Sequence, residues 1–363
     1  MKKERTNRQS NIELLRILSI LFIISFHYVY KSGFISETLN YNTFIVKSFY
    51  FLGELGVNLF MLITGYFMIN GKFRLKKLIL ILGEVLFYYL IMTFIGIKIG
   101  ELAMPNNFSS VFLLFFPTIL SKYWFVTVYI IIYILSTYLN ILAKNMSQID
   151  YKRFLITCLV MWCIIPTFFG VFFNSSESIL YYSRLIWLII IYFVGAFIKL
   201  HGFNILKSNK KQIICAISSY LAMLLSILVI YKFRFKLGNL GLYELAYFWT
   251  PNNMLMFLLS ISLFGIFLNI KMKSNKIINI VASTTLGIYL LHDSVICYYF
   301  WVNIFKSNKY LSGRYPLEHI LLSTLMIFIA GVLIDLFRQL IEKYSLNRII
   351  DFIIRKPKEK ETI

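Results

Sequence analysis

The sequence predicts an all-α, polytopic integral membrane protein with about ten transmembrane helices and both termini in the cytoplasm. Three observations carry that prediction. Of the 363 residues, 59% are hydrophobic and only 15% charged, against about 45–50% and about 25% in soluble chains. The apolar residues fall into runs of the roughly 17–25 residues a spanning helix needs. The lysines and arginines collect in short blocks between those runs. A formal charge of +21 spread in this way sets topology, and excludes the single basic face of a nucleic-acid-binding protein.

In chain order the spans are Leu14–Tyr30, Phe49–Ile69, Leu78–Ile97, Tyr123–Leu142, Phe154–Phe173, Ser183–Leu200, Gln212–Tyr231, Pro251–Ile270, Ile277–Ile304 and Leu317–Leu340. The ninth is long enough to tilt or break. Pro105–Thr118 is apolar but too short to cross, as in a re-entrant or interfacial segment. With the amino terminus inside, the segments on the cytoplasmic side hold 25 Lys and Arg and the opposite side 11, as the positive-inside rule requires. Residues 1–345 form one transmembrane domain, and 346–363 a basic cytoplasmic tail. The amino terminus is basic like a signal peptide, but Arg16 and His27 interrupt its apolar stretch and no small-residue cleavage site follows. It reads as a retained first helix. Cys158, Cys163, Cys215 and Cys297 all lie in apolar runs, without disulfide or zinc spacing.

Ionisable groups in hydrocarbon cost at least ~2.5 kcal/mol each near mid-span, so each asks for a reason. Ser10-Asn11-Ile12-Glu13 reads as a capping box opening the first helix. Arg16 and His27 are eleven residues apart, about 20° past three full turns, so they share a face about 16 Å apart. A cation at the inner mouth suits a phosphorylated or carboxylated donor. A deeper imidazole suits proton removal from a hydroxyl attacking a thioester. The same pair also fits a snorkelling arginine and a histidine satisfied by a carbonyl.

The second span carries Gly53-Glu54-Leu55-Gly56-Val57-Asn58-Leu59-Phe60 and Thr64-Gly65-Tyr66. Gly56 and Gly65 suit close helix approach, and Asn58 either lines a cavity or bonds across helices. The following loop places Arg74 and Lys77 where a cytoplasmic anion would dock. Tyr123-Trp124-Phe125, Tyr129 and Tyr133 fit an interfacial aromatic belt. In the ninth span Tyr289 and His292 share a face, with Asp293 beside them. Glu84 lacks a local partner and is a cavity candidate. Asp335 and Arg338 are spaced to pair structurally, whereas His201 and His319 read as solvated.

With these residues in place, the chain resembles the acyltransferase 3 family of polytopic membrane enzymes. Arg16-x(10)-His27 is similar to that family's arginine–histidine signature. Gly53 to Tyr66 resembles its "GxxGVxxFFxxSGY" block, with Thr64 in place of serine. Tyr123 to Tyr129 resembles its Trp-Phe motif, and Gly287 to His292 its "GIYLxH" block. Four blocks in order span nearly the whole chain. The family's Arg-x-x-Arg loop appears as Arg74-x-x-Lys77, and the proline common after the Trp-Phe helix is replaced by Thr137-Tyr138. The esterase-like domain fused to some members is not expected here.

The resemblance implies an O-acyltransferase in the bacterial plasma membrane. It would take an acetyl or other short acyl group from cytoplasmic acyl-CoA, a substrate rather than a tightly bound cofactor. The acceptor would be a hydroxyl of a surface or capsular polysaccharide, or of its lipid-linked precursor. Arg16 and His27 are the expected catalytic pair, with Arg74 and Lys77 on the donor. Asn58, Glu84, Trp124, Tyr129, Tyr289 and His292 are expected on the acceptor side or in the cavity, and no metal is expected. The competing class is a flippase, transporter or polymerase of lipid-linked sugar. Inverted repeats or a large outer loop would mark it, and neither is visible.

Overall fold

A computed structural model of the chain describes residues 8–36, 38–169, 183–202, 204–237 and 247–344, with the side chains of 205 and 234–237 excepted. The basic tail expected at 346–363 and the end of one expected span, residues 170–173, lie outside these residues. Every regular element among the described residues is helical.

Each expected span contains a helix among the described residues. Helix α1 is Ser10–Tyr30, α2 Tyr41–Met68, α3 Leu75–Lys98, α4 Phe108–Leu113 and α5 Trp124–Asn145. Then follow α6 at Gln148–Phe169 and α7 at Arg184–His201. Helix α8 is Asn209–Leu237 and α9 Met254–Asn269. The series closes with α10 at Lys276–His292, α11 at Cys297–Ile304, α12 at Ser307–Leu311 and α13 at Pro316–Tyr344. Eight of these are long and apolar enough to cross a membrane alone, and α10 with α11 makes a ninth, bent by 90° between the two halves. The eighth expected span is shorter than its apolar run. Asn253 caps α9 by accepting from the Leu255 N–H, and Pro251 to Asn253 form a turn before it. The helix keeps 16 residues.

Burial divides the bundle in two. The apolar windows of α2, α1 and α7 are 78%, 67% and 61% buried, against 22–33% for the other long helices. Those peripheral helices turn leucine, isoleucine and phenylalanine outward; on α13, Leu322, Met326, Leu333 and Phe337 are at least 60% exposed. Such a face is stable when its solvent is lipid. The segment after α3 fits the interface. Asn107 and Ser110 form a reciprocal capping box on the short α4, and Phe108 and Phe112 lie exposed along it.

Helix α2 is the axis, and its glycines make it so. A Cβ on Gly56 would lie 2.6 Å from the Ser19 carbonyl oxygen of α1. One on Gly65 would overlap the Tyr192 backbone of α7. Contacts that close bring two backbones together and are available only to glycine.

The first helix starts differently from the expected capping box. Gln9 is the cap residue and makes no side-chain cap bond. Ser10 Oγ instead accepts from the Asn275 N–H at 2.8 Å, and Glu13 pairs with Arg16 at 3.1 Å. Tertiary partners take the polar groups that a local motif would have used.

Candidate active site

A cavity of about 760 Å³ opens among α1, α2, α3, α5 and α10, on the side that the charge balance assigns to the cytoplasm. Arg16, Arg74, Lys77, Tyr129 and Tyr289 line it together, although they come from four helices. Arg8, which the motifs had not singled out, lines it as well. It is held there by a 3.0 Å bond from its guanidinium to the Asn279 carbonyl. Glu13 is the one carboxylate against these four cations in the lining.

Local structure explains how the basic loop reaches the cavity. Arg74 precedes the first residue of α3, and its backbone is clasped by Tyr133, whose hydroxyl donates to the Arg74 carbonyl at 3.2 Å. Lys77 lies in the first turn, with its ammonium 4.9 Å from the centre of the Tyr133 ring and 3.5 Å from the Tyr129 hydroxyl. The tyrosines of α5 are therefore more than an interfacial belt. They fasten the cationic loop over the cavity.

His27 lies deeper. Its Nδ1 is 2.9 Å from Nε2 of His292, and His292 Nδ1 is 2.6 Å from the Ile288 carbonyl oxygen. A carbonyl can only accept, so His292 carries its proton on Nδ1 and presents a bare Nε2. That Nε2 accepts from His27 Nδ1–H, which leaves His27 Nε2 with a free lone pair. Asp293 Oδ1 stands 3.8 Å from it. Lys31, one turn beyond His27, closes an ion pair with the same carboxylate oxygen, and also donates to Cys297 Sγ at 3.2 Å. The break after α10 makes this possible: the chain turns away at Asp293, and the helix end carries His292 and Asp293 to α1.

Tyr289 links the two levels. It lines the cavity, its ring centre lies 5.9 Å from that of His292, and its buried hydroxyl makes no hydrogen bond of acceptable geometry among the described residues. Tyr123, whose hydroxyl is likewise buried and unbonded, packs edge-on against it at 6.2 Å.

Three expected cavity residues sit elsewhere. Asn58 is fully buried and donates to the Pro251 carbonyl at 2.8 Å. It also accepts from Trp187 Nε1 at 2.9 Å, so it ties α2 to α7 and to the turn before α9. Glu84 lies 3.2 Å from the Arg338 guanidinium, which also binds Asp335 at 2.6 Å and Glu342 at 2.5 Å. Its partner was 254 positions away in sequence and invisible to local spacing. Trp124 carries the Arg184 guanidinium 4.1 Å over its ring, away from the cavity lining. The histidines read as solvated are also packed. His201 lies against Tyr151 and Phe197, and His319 stacks on Tyr310 while bonding the Tyr28 hydroxyl at 2.5 Å.

Sequence reasoning missed Lys31 as a partner of this cluster. Its four-residue spacing from His27 was the available signal.

Fold and site define a multi-pass membrane protein with a cationic cavity on one side and a polarised imidazole pair above it. A family model described as an acyltransferase domain matches residues 9–336, almost the whole chain. The chain belongs to the acyltransferase 3 family and is a membrane acyltransferase. No curated protein and no solved structure matches it.

Proposed function

We propose that the protein is a bacterial plasma-membrane O-acyltransferase moving an acetyl or other short acyl group from cytoplasmic acyl-CoA to a glycan hydroxyl. The glycan would belong to a surface polysaccharide or its lipid-linked precursor. The observation that carries this reading is the gathering of Arg8, Arg16, Arg74 and Lys77 around one cavity that ends at Tyr289, beside the His27–His292 pair.

In this reading the four cations hold the phosphates of the donor. The eleven residues from Arg16 to His27 rise about 16 Å, a distance suited to an extended thioester arm rather than a compact donor. His27 Nε2 takes the proton of the acceptor hydroxyl as its oxygen attacks the thioester carbonyl. The Tyr289 hydroxyl, which makes no hydrogen bond of acceptable geometry among the described residues, donates to the oxyanion of the tetrahedral intermediate. Collapse expels the CoA thiolate, which recovers the proton from the imidazolium, so ester and CoA thiol leave with every proton accounted for. Asp293 stabilises the transient imidazolium, and His292 holds His27 in the required tautomer.

The test is glycan O-acylation in cells carrying wild type, His27→Ala, Arg16→Ala or no copy, with membrane levels checked by immunoblot. Acylation should vanish in His27→Ala at normal protein level. Unchanged acylation in the deletion, with altered polymer export or length, would overturn the reading in favour of transport or polymerisation.

A further inference from the structure

At the outer ends of α1 and α2 four aromatic rings gather one turn from His27. Phe26 and Tyr30 stack at 5.0 Å, Tyr30 and Trp249 at 6.2 Å, and Tyr50 meets Tyr30 at 5.9 Å and Trp249 at 6.5 Å. Tyr30 keeps 52% of its surface exposed. The Phe26 ring is 5.3 Å from that of His27, so the group adjoins the imidazole.

Beneath it stands a carboxylate without a use. Tyr50, Glu54 and Asn58 follow at four-residue spacing along one side of α2. Tyr50 meets Trp249 at the outer end, and Asn58 binds the Pro251 carbonyl at the inner end. Glu54 lies between them, 6% exposed, and its Oε2 has no hydrogen-bond partner among the described residues. The cation acting on it is Arg184, whose guanidinium is spread over the Trp124 ring. A buried carboxylate in a membrane helix is costly and is retained where something comes to meet it.

We propose that Tyr30, Tyr50, Trp249 and Glu54 form a binding subsite for a pyranose ring, the acceptor sugar of the reaction above; the assignment of that sugar as acceptor rests on the transferase reading. The chemistry matches on both counts. The C–H face of a pyranose carries slight positive charge and packs on the electron-rich face of an aromatic ring. A carboxylate accepts from two vicinal hydroxyls, which an acyl chain or a lipid tail cannot supply. Trp124 thereby returns to the acceptor side indirectly, as the residue that holds Arg184 near Glu54.

Saturation-transfer NMR on the full chain in lipid nanodiscs tests this without any acyl transfer, in the His27→Ala background so that nothing turns over. The probes are methyl glucoside, methyl galactoside and N-acetylglucosamine. Ring C–H protons of at least one sugar should receive saturation. Trp249→Ala and Glu54→Gln should each weaken binding about tenfold, Trp249→Phe should restore much of it, and Tyr138→Ala, on the exposed face of α5, should leave it unchanged. No transfer to any of the sugars, or equal transfer in Trp249→Ala and Glu54→Gln, would overturn the proposal. Sugar binding together with glycan acylation that is unchanged in cells lacking the protein would retain the subsite and reject the transferase.

Discussion

In the proposed reaction Asp293 faces two different cations, the permanent one on Lys31 and a transient one on His27. Because Lys31 is always charged, the carboxylate is held in place between turnovers, and the imidazolium forms beside a fixed negative group. Asp293→Asn is therefore expected to lower kcat while leaving the donor KM nearly unchanged; a rise in donor KM alone would place Asp293 in binding instead. Tyr289→Phe removes the proposed oxyanion donor and should cost about 10²-fold in kcat, measured by single-turnover transfer with saturating donor. Arg16, His27, Tyr289 and His292 were legible because a polar side chain inside an apolar run has few reasons to be there. What those residues touch was less legible. The imidazole pair joins residues 265 apart, and its direction depends on one carbonyl, Ile288, that no side-chain pattern reveals.

The helices show the same division. Their existence followed from apolar runs, and their packing partners did not. Gly56 and Gly65 pointed to close approach, but only the folded chain shows α1 on one side of α2 and α7 on the other. In the buried charge cluster of α3 and α13 the Asp335–Arg338 pair was legible from its spacing, but the place of Glu84 was not: one guanidinium, Arg338, serves Glu84, Asp335 and Glu342. Removing it leaves buried carboxylates uncompensated. Arg338→Met should destabilise the protein by about 3–5 kcal/mol, read as a lowered midpoint in thermal size-exclusion profiles. Arg338→Lys should recover only part, since an ammonium cannot reproduce the planar fork. Gly56→Val should give the same loss of folded protein through the α1–α2 seam.

For the molecule as a whole, the charge balance is the one source of orientation, and it can be checked directly. With the native cysteines replaced, a cysteine at Lys72 should resist a membrane-impermeant thiol reagent in intact cells, and one at Lys306 should react; the reverse pattern would invert the protein and detach the cavity from any cytoplasmic donor. The cavity's charge also predicts that donor KM rises with ionic strength, as screening weakens the hold of Arg8, Arg16, Arg74 and Lys77 on phosphate. Helix α9 has a consequence of a different kind. Sixteen residues extend only about 24 Å, some 6 Å less than the hydrocarbon they stand beside. Since α9 is packed among other helices rather than against lipid, the deficit does not thin the bilayer. The helix instead begins below the outer end of its apolar run, after the turn at Pro251 to Asn253. In the proposed reaction a glycan would have to bring one residue down to that level, which favours chain ends and flexible branches over the interior of a stiff polymer.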